Sequence, residues 1–305
     1  MSRPTRADAA GRAYLDLLNR ARREGRLTQE LLVAYVLERF LARLGASAHA
    51  GTFVLKGGML LAALHARRPT VDADLLATQL ANDTDTVLAR VVEIAILTPE
   101  TDDGVRYLTG TARARTIRED NLYAGVRVTM DARVATAAVK LQLDVNFGDP
   151  VTPEPREIDY PALRPGYAPV RVRGYPLATV LAEKLSTAID LGTANSRVRD
   201  YADVWTLTGI HDLDATELRA ALEATTGHRG VQLRPLSEAI TDLAAVRART
   251  YAAYRRRLGT DAGPLPEDFT AVVAAVVAFA DPVLTQPPTT AARWDAATRT
   301  WHPHR

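Results

Sequence analysis

The sequence predicts a mixed α/β (α+β) protein, with a strand-bearing lobe over residues 48–175 and a helical lobe behind it. Three observations carry this. Apolar residues recur every three or four positions in 7–24 and 28–46, as on one side of a helix. Clean alternation marks VRVTM at 126–130 and VKLQLDV at 139–145, as in half-buried strands. Beyond about residue 212 the helical spacing returns.

In chain order, Tyr14, Leu15, Leu17 and Leu18 line the first helix, and Leu31, Leu32, Tyr35, Val36, Phe40, Leu41 and Leu44 the second. A short strand follows at 52–56, a helical run at 58–66 and a strand at 71–76. Asn, Asp and Thr residues open a helix at 83–97. Two longer strands span 125–133 and 137–147. Six prolines between Pro150 and Pro169 mark a long loop or domain connection. Pro176 stands at the start, and Gly192 just past the end, of a helix over 176–191. Further helices are expected at 197–207, 215–225, 236–257 and 267–280. The expected division is N-terminal helices (1–47), a catalytic domain (48–175), a helical domain (176–282) and a loose tail (283–305) containing His302-Pro303-His304. No internal repeat is evident.

Composition narrows the function. The chain has 305 residues, 47% hydrophobic and 24% charged, with a net charge of +2. Any nucleic-acid surface must therefore be a local patch. The absence of cysteine excludes disulfides, zinc–thiolate sites and a thiol nucleophile. The N-terminus lacks an apolar signal core, and no run of about 18 apolar residues exists. The expectation is a cytoplasmic protein with no membrane partner. Only three of the basic residues are lysines: Lys56, Lys140 and Lys184. A compact ammonium suits a phosphate as a point charge.

The chemistry concentrates in LKGGMLLAALHARRPTVDADLL (55–76). Gly57 and Gly58 let the backbone come close to a phosphate, with Lys56 beside them. Asp72 and Asp74, two apart on a strand, face one side and can share a hard cation such as Mg²⁺. Apolar Val71, Leu75 and Leu76 suggest that this strand is buried, so its carboxylates need compensation. Arg68 and Thr70 lie just ahead as phosphate-binding candidates. Asp144, on a strand of like character, supplies a third carboxylate, as metal ligand or general base. Lys140, Gln142 and Asp144 share a strand face. Lys184 is placed to reach the β- and γ-phosphates, and Asp200 to orient Lys184 or a substrate hydroxyl. Asp203 reads as an interhelical ion pair, and His65 as helix-end packing. Tyr251–Gly259 (YAAYRRRLG) and the Arg113/Arg115/Arg118 run read either as RNA-tracking surfaces or as solvated faces. No nucleophile elbow, Walker A loop, dinucleotide fingerprint or histidine pair at ligand spacing is present.

The order F-V-L-K-G-G (53–58), R-x-T-x-D-x-D (68–74), L-D-V-N-F-G-D (143–149), Y-P-L-A-x-x-L-A-E-K-L (175–185) and R-x-R-D-Y-x-D (197–203) resembles the AbiEii/AbiGii nucleotidyltransferase toxins, MenT-type toxins included. The resemblance spans about 53–207. It implies a DNA polymerase β-type nucleotidyltransferase lobe joined to a helical lobe. Gly57 and Gly58 match the family's glycine turn, Asp72 and Asp74 its metal pair, Asp144 its third acidic position, Lys184 its lysine and Asp200 its late acidic residue. Many nucleotidyltransferases carry serine where Gly58 stands. The resemblance further implies an NTP substrate, Mg²⁺, an AbiEi-type antitoxin, and transfer of a nucleotide to an RNA acceptor such as the tRNA 3′ end. The competing expectations are a nucleotidyltransferase that modifies a protein or small molecule, and a non-catalytic nucleotide-binding module.

Overall fold

The structure is a computed structural model that describes residues 4–119, 123–285 and 292–303. The chain forms two compact units. The first comprises Met1–Ala63, Arg67–Gly148 and Arg156–Gly174; the second comprises Leu64–Ala66, Asp149–Pro155 and Tyr175–Arg305. The N-terminal helices thus share a unit with the strands instead of standing apart.

In the first unit, α1 (Ala9–Glu24) is capped by Asp8, whose carboxylate accepts from Gly11 N at 2.6 Å, and ends at the left-handed Gly25. There follow α2 (Thr28–Ala46), β1 (Phe53–Lys56), α3 (Gly57–Leu60), β2 (Ala73–Ala77) and α4 (Thr84–Ala95). Then come β3 (Val105–Glu119), β4 (Tyr123–Val134), β5 (Ala137–Phe147), β6 (Arg156–Tyr160) and β7 (Val170–Gly174). Among the described residues the strands form one seven-stranded sheet in the order β3-β4-β5-β2-β1-β7-β6.

Alternation sets the two faces of this sheet apart. On β4, Val126, Val128, Met130, Ala132 and Val134 are buried, while Arg127, Thr129, Asp131 and Arg133 are half-buried. On β5, Val139, Leu141, Leu143 and Val145 are buried in the same sense. Helices α1, α2 and α4 pack on this sheet, α2 with Leu31, Tyr35, Val36, Phe40 and Leu44 fully enclosed. Burial of each such side chain stabilises the fold by roughly 1.5–3 kcal/mol.

Several elements differ from the sequence expectation. The helix expected over 58–66 stops at Leu60, and turns follow to His65, whose φ of 57° is left-handed. The strand expected from Val71 begins at Ala73, and Val71 is 69% exposed. The longest strand, β3, has no clean alternation to announce it: a register irregularity lies between Leu108 and Arg113, and arginines crowd its exposed side. It is also a sheet edge, where charged residues are common. The proline-rich stretch contains β6, at the opposite edge, where prolines on either side are tolerated.

The second unit is mostly helical: α5 (Leu177–Leu191), α6 (Val198–Thr208), α7 (Ala215–Arg229), α8 (Leu236–Ala239), α9 (Leu243–Leu258) and α10 (Phe269–Thr285). The single helix expected over 236–257 is broken at Ile240–Asp242, where Asp242 is left-handed. The tail is not loose over 292–303. There β9 (Ala292–Asp295) and β10 (Thr300–Pro303) form a hairpin that pairs with β8 (Leu213–Asp214). Aromatic packing holds it: Phe279 lies edge-on to Trp294 at 4.9 Å and stacks on Trp301 at 5.5 Å. Both indoles find acceptors, Trp294 at Thr208 O (2.7 Å) and Trp301 at Phe279 O (2.9 Å). His304 lies outside the described residues. No described helix is long and apolar enough to cross a membrane.

Candidate active site

The register of four adjacent strands assembles a charged row. Lys56 on β1 pairs with Asp74 on β2, Asp74 with Asp144 on β5, and Asp144 with Arg127 on β4. Directly paired residues project to the same face. Two carboxylates are therefore flanked by two cations across the middle of the sheet. Lys56 and Asp144 are buried, at 7% and 4% exposure. The next row holds Thr129 and Gln142, with Asp72 beside them.

A glycine turn closes over this row. Gly57 has φ +64°, and a Cβ on it would lie 1.8 Å from Asp74 Oδ2. The absence of a side chain at Gly57 is thus what admits the Asp74 carboxylate. At Gly58 a Cβ would meet Thr70 Oγ1 at 2.9 Å and Arg68 Nη1 at 3.3 Å. Gly58, Arg68 and Thr70 line one recess together with Arg26 and Arg67. The Thr70 hydroxyl lies 3.1 Å from Asp72 Oδ1, and Gln142 Nε2 donates to Asp72 Oδ2 at 3.3 Å.

Arg127 was not singled out by the sequence reading. It forks onto Asp144, with Nε to Oδ1 at 2.7 Å and Nη2 to Oδ2 at 2.5 Å. Its guanidinium is held above the ordinary arginine value, first by the hydrogen bond to Asp144, with the charges of Asp144, Asp72 and Asp74 adding. The only sequence signal was its place in VRVTM, opposite the strand that carries Asp144.

The donor chemistry of Asp72, Asp74 and Asp144, oxygen throughout, fits a hard divalent cation. As they stand, no three His, Cys, Asp or Glu side chains among the described residues are gathered tightly enough to hold a metal ion. Asp144 is turned to Arg127, and Asp72 to Thr70 and Gln142.

Lys184 and Asp200 belong to the second unit. Lys184 Nζ on α5 donates to Asp200 Oδ1 at 3.0 Å and Asp203 Oδ2 at 2.7 Å, both on α6, and Arg197 Nε donates to Asp200 Oδ2 at 2.6 Å. Burial pushes the Asp200 carboxyl up, but Lys184 and Arg197 more than reverse this and hold it at about 2. Asp203 makes the interhelical ion pair expected of it. Lys140, 67% exposed in its side chain, lies 3.7 Å from Asp131 at the surface. Tyr251 and Tyr254 face inward. Tyr251 stacks on Phe269 at 4.7 Å and donates to Pro266 O at 2.7 Å, so neither ring of YAAYRRRLG is open to a base. Arg113 and Arg115 are exposed, whereas the Arg118 side chain lies outside the described residues.

Two outcomes follow from this geometry. Gly57→Ala must displace the Asp74 carboxylate and also carries left-handed strain of about 1 kcal/mol. It should abolish catalysis with only a modest fall in melting temperature; activity within a few-fold of wild type would show that the Gly57–Asp74 contact is dispensable. For Asp200, the folded-state pKa of about 2 lies below the ordinary 3.8. Its contribution, on the order of 2 kcal/mol, is present above pH 4 and is lost as pH falls through about 2. Asp200→Asn should be less stable at neutral pH and lack this part of the acid profile. Urea unfolding at stepped pH checks it, and parallel profiles for the two proteins would refute it.

Residues 39–275, most of the chain, match the family described as "Nucleotidyl transferase AbiEii toxin, Type IV TA system". No curated protein matches the chain in sequence. Among solved structures it is similar to MenT4, a nucleotidyltransferase toxin from Mycobacterium tuberculosis H37Rv, at 16% identity over 87% of this chain and 93% of that one, with a TM-score of 0.48. It is also similar to JHP933 from Helicobacter pylori, at 15% identity over 84% of this chain and 93% of that one, with a TM-score of 0.43. The matched range includes the glycine turn, the three aspartates, Lys184 and Asp200, and the chain belongs to the AbiEii nucleotidyltransferase toxin family.

Proposed function

We propose that this nucleotidyltransferase transfers a nucleoside monophosphate from an NTP to an RNA acceptor, the 3′ end of tRNA, so blocking translation in the cytoplasm until an AbiEi-type antitoxin restrains it. The observation that carries the reading is the row Lys56–Asp74–Asp144–Arg127 beneath a left-handed glycine turn. In the proposed reaction the acceptor hydroxyl attacks the α-phosphorus, the bond to pyrophosphate breaks, and the hydroxyl proton passes to Asp144. Lys56, Arg68, Thr70 and the backbone at Gly57 and Gly58 bind the triphosphate. Asp72 and Asp74, joined by Asp144, hold Mg²⁺. When bound, that ion would lower the hydroxyl's pKa and offset charge on the phosphates. Lys184 and Asp200 enter this reading through the family motif. Their observed ion cluster supports a positioning role for Asp200 on Lys184.

The acceptor class is supported by the open face of β3, β4 and β5. Arg115 is the register partner of Arg127, Arg113 of Thr129 and Arg106 of Arg133, so these side chains share the face of the carboxylates. Lys140 lies on it also, and Asp131 is the acidic residue paired with it. A basic ledge leading to Asp144 suits a phosphate backbone.

Label transfer from each α-³²P NTP onto total tRNA with Mg²⁺, wild type beside Asp72→Ala, tests the reaction. Label on tRNA with wild type alone is expected. Label on protein or a small molecule keeps the chemistry and discards the acceptor; label with Asp72→Ala discards the site. A second measurement tests the ledge. Arg113→Glu with Arg115→Glu should weaken tRNA binding and flatten its salt dependence, by roughly one unit of slope per lost phosphate contact. An unchanged slope would remove the ledge from the acceptor path.

A further inference from the structure

Asp74 and Asp144 are register partners on neighbouring strands and Asp72 lies just ahead of β2, yet among the described residues no three such side chains are gathered tightly enough to hold a cation. Asp144 is already engaged by a cation of the chain. Both of its oxygens face guanidinium N–H groups of Arg127, at 2.7 and 2.5 Å, in the fork geometry that makes arginine–carboxylate pairs strong. Asp144 is 6% exposed in its side chain and Arg127 28%, so the pair is largely sheltered from water. Arg127 comes from β4, on the side of Asp144 away from Asp74, and engages the carboxylate from there. A divalent cation on the same oxygens would bring a second positive charge against the guanidinium in a poorly screened place.

We propose that Arg127 is a positioning residue that masks Asp144. While its fork is in place, Asp144 is unavailable to a cation, and Asp72 and Asp74 alone bind one. Asp144 joins them only when the guanidinium leaves. Its natural alternative partner is a phosphate, which accepts the same fork. Arg115, in register with Arg127 on β3, adds a like charge that lowers the cost of its departure. The inference rests on the carboxylate reading of the site given above, and it adds an order: phosphate first, third carboxylate second.

The test is Mn²⁺ binding, followed by electron paramagnetic resonance without nucleotide, in four proteins: wild type, Arg127→Gln, Asp144→Asn and the double variant. Melting curves establish that each is folded. If Arg127→Gln does not fold, Arg127→Lys serves in its place, since it keeps the charge but covers fewer of the carboxylate's lone pairs. Wild type and Asp144→Asn should bind Mn²⁺ alike. Arg127→Gln should bind roughly tenfold more tightly, as one more carboxylate joins the ligands. The double variant should lose that gain. An arginine acting by its charge alone would tighten binding on removal whether residue 144 is Asp or Asn, so a gain retained in the double variant overturns the mask. If Asp144→Asn weakens binding as strongly with Arg127 present as in the Arg127→Gln background, Asp144 is a ligand with Arg127 in place and the mask is overturned. Equal affinity in all four proteins overturns the mask and leaves the nucleotidyltransferase reading intact. No Mn²⁺ on any of them overturns both.

Discussion

Charge buried on a β-sheet has to be compensated where it lies, and the first unit is built around that requirement. Asp144 and Lys56 are nearly closed to solvent. An isolated carboxylate or ammonium there would cost several kcal/mol of lost hydration. Strand register supplies the remedy. A slip of one residue on β5 would send Asp144 to the apolar face under the helices and bring Val145 out. The pairing Arg127–Asp144–Asp74–Lys56 is therefore fixed by the hydrophobic pattern of the same strands that carry the charges. The apolar face sets the register, and the register sets the site.

The scaffold beneath follows the same rule. Within α2, Arg43 forks onto Asp103 at 2.7 and 3.2 Å, and Glu38 accepts from Leu163 N at 2.6 Å. The Tyr35 hydroxyl donates to Asp103 O and accepts from Arg164, which also reaches Asp16 on α1. These contacts tie both N-terminal helices to the loops around the sheet, so α1 and α2 belong to the first unit. In the second unit Lys184, Asp200, Asp203 and Arg197 make an equivalent closed cluster between α5 and α6. Removing one member of such a cluster leaves its partners buried and charged, which costs more than the pair itself contributes.

Much of this was legible in the sequence. Helices with a clear apolar stripe and strands with clean alternation were found within a few residues, because one-sided burial writes its period into the chain. The aspartates and the glycine pair were found as motifs, and Asp144 was placed on a strand neighbouring theirs. What was not legible depended on partners distant in sequence. Edge strand β3 carries arginines and a bulge instead of alternation. Strand β6 hides between prolines. The terminal hairpin is held by Trp294 and Trp301 against Phe279, a contact that local pattern does not contain. Tyr251 and Tyr254 read as part of an RNA-tracking surface or a solvated face because their spacing does not say which way the helix turns. Arg127 did not stand out for the same reason: its ion pair with Asp144 exists only through strand register.

Gly58 illustrates how far a local reading can mislead. Read alone, glycine at 58 is a hydroxyl absent from the turn. In the structure that position is already crowded: Thr70 Oγ1 would lie 2.9 Å, and Arg68 Nη1 3.3 Å, from a Cβ at residue 58. A hydroxyl and a cation thus stand over the turn, brought there by the segment that leads into β2. The Thr70 hydroxyl also contacts Asp72, at 3.1 Å. A side chain at 58 would press on Thr70, and Thr70 helps to fix the first carboxylate. The two glycines therefore have separate reasons. Gly57 makes room for Asp74 itself, whereas Gly58 makes room for the residue that positions Asp72. The turn and the aspartate pair, fourteen to seventeen residues apart in sequence, behave as one packed object.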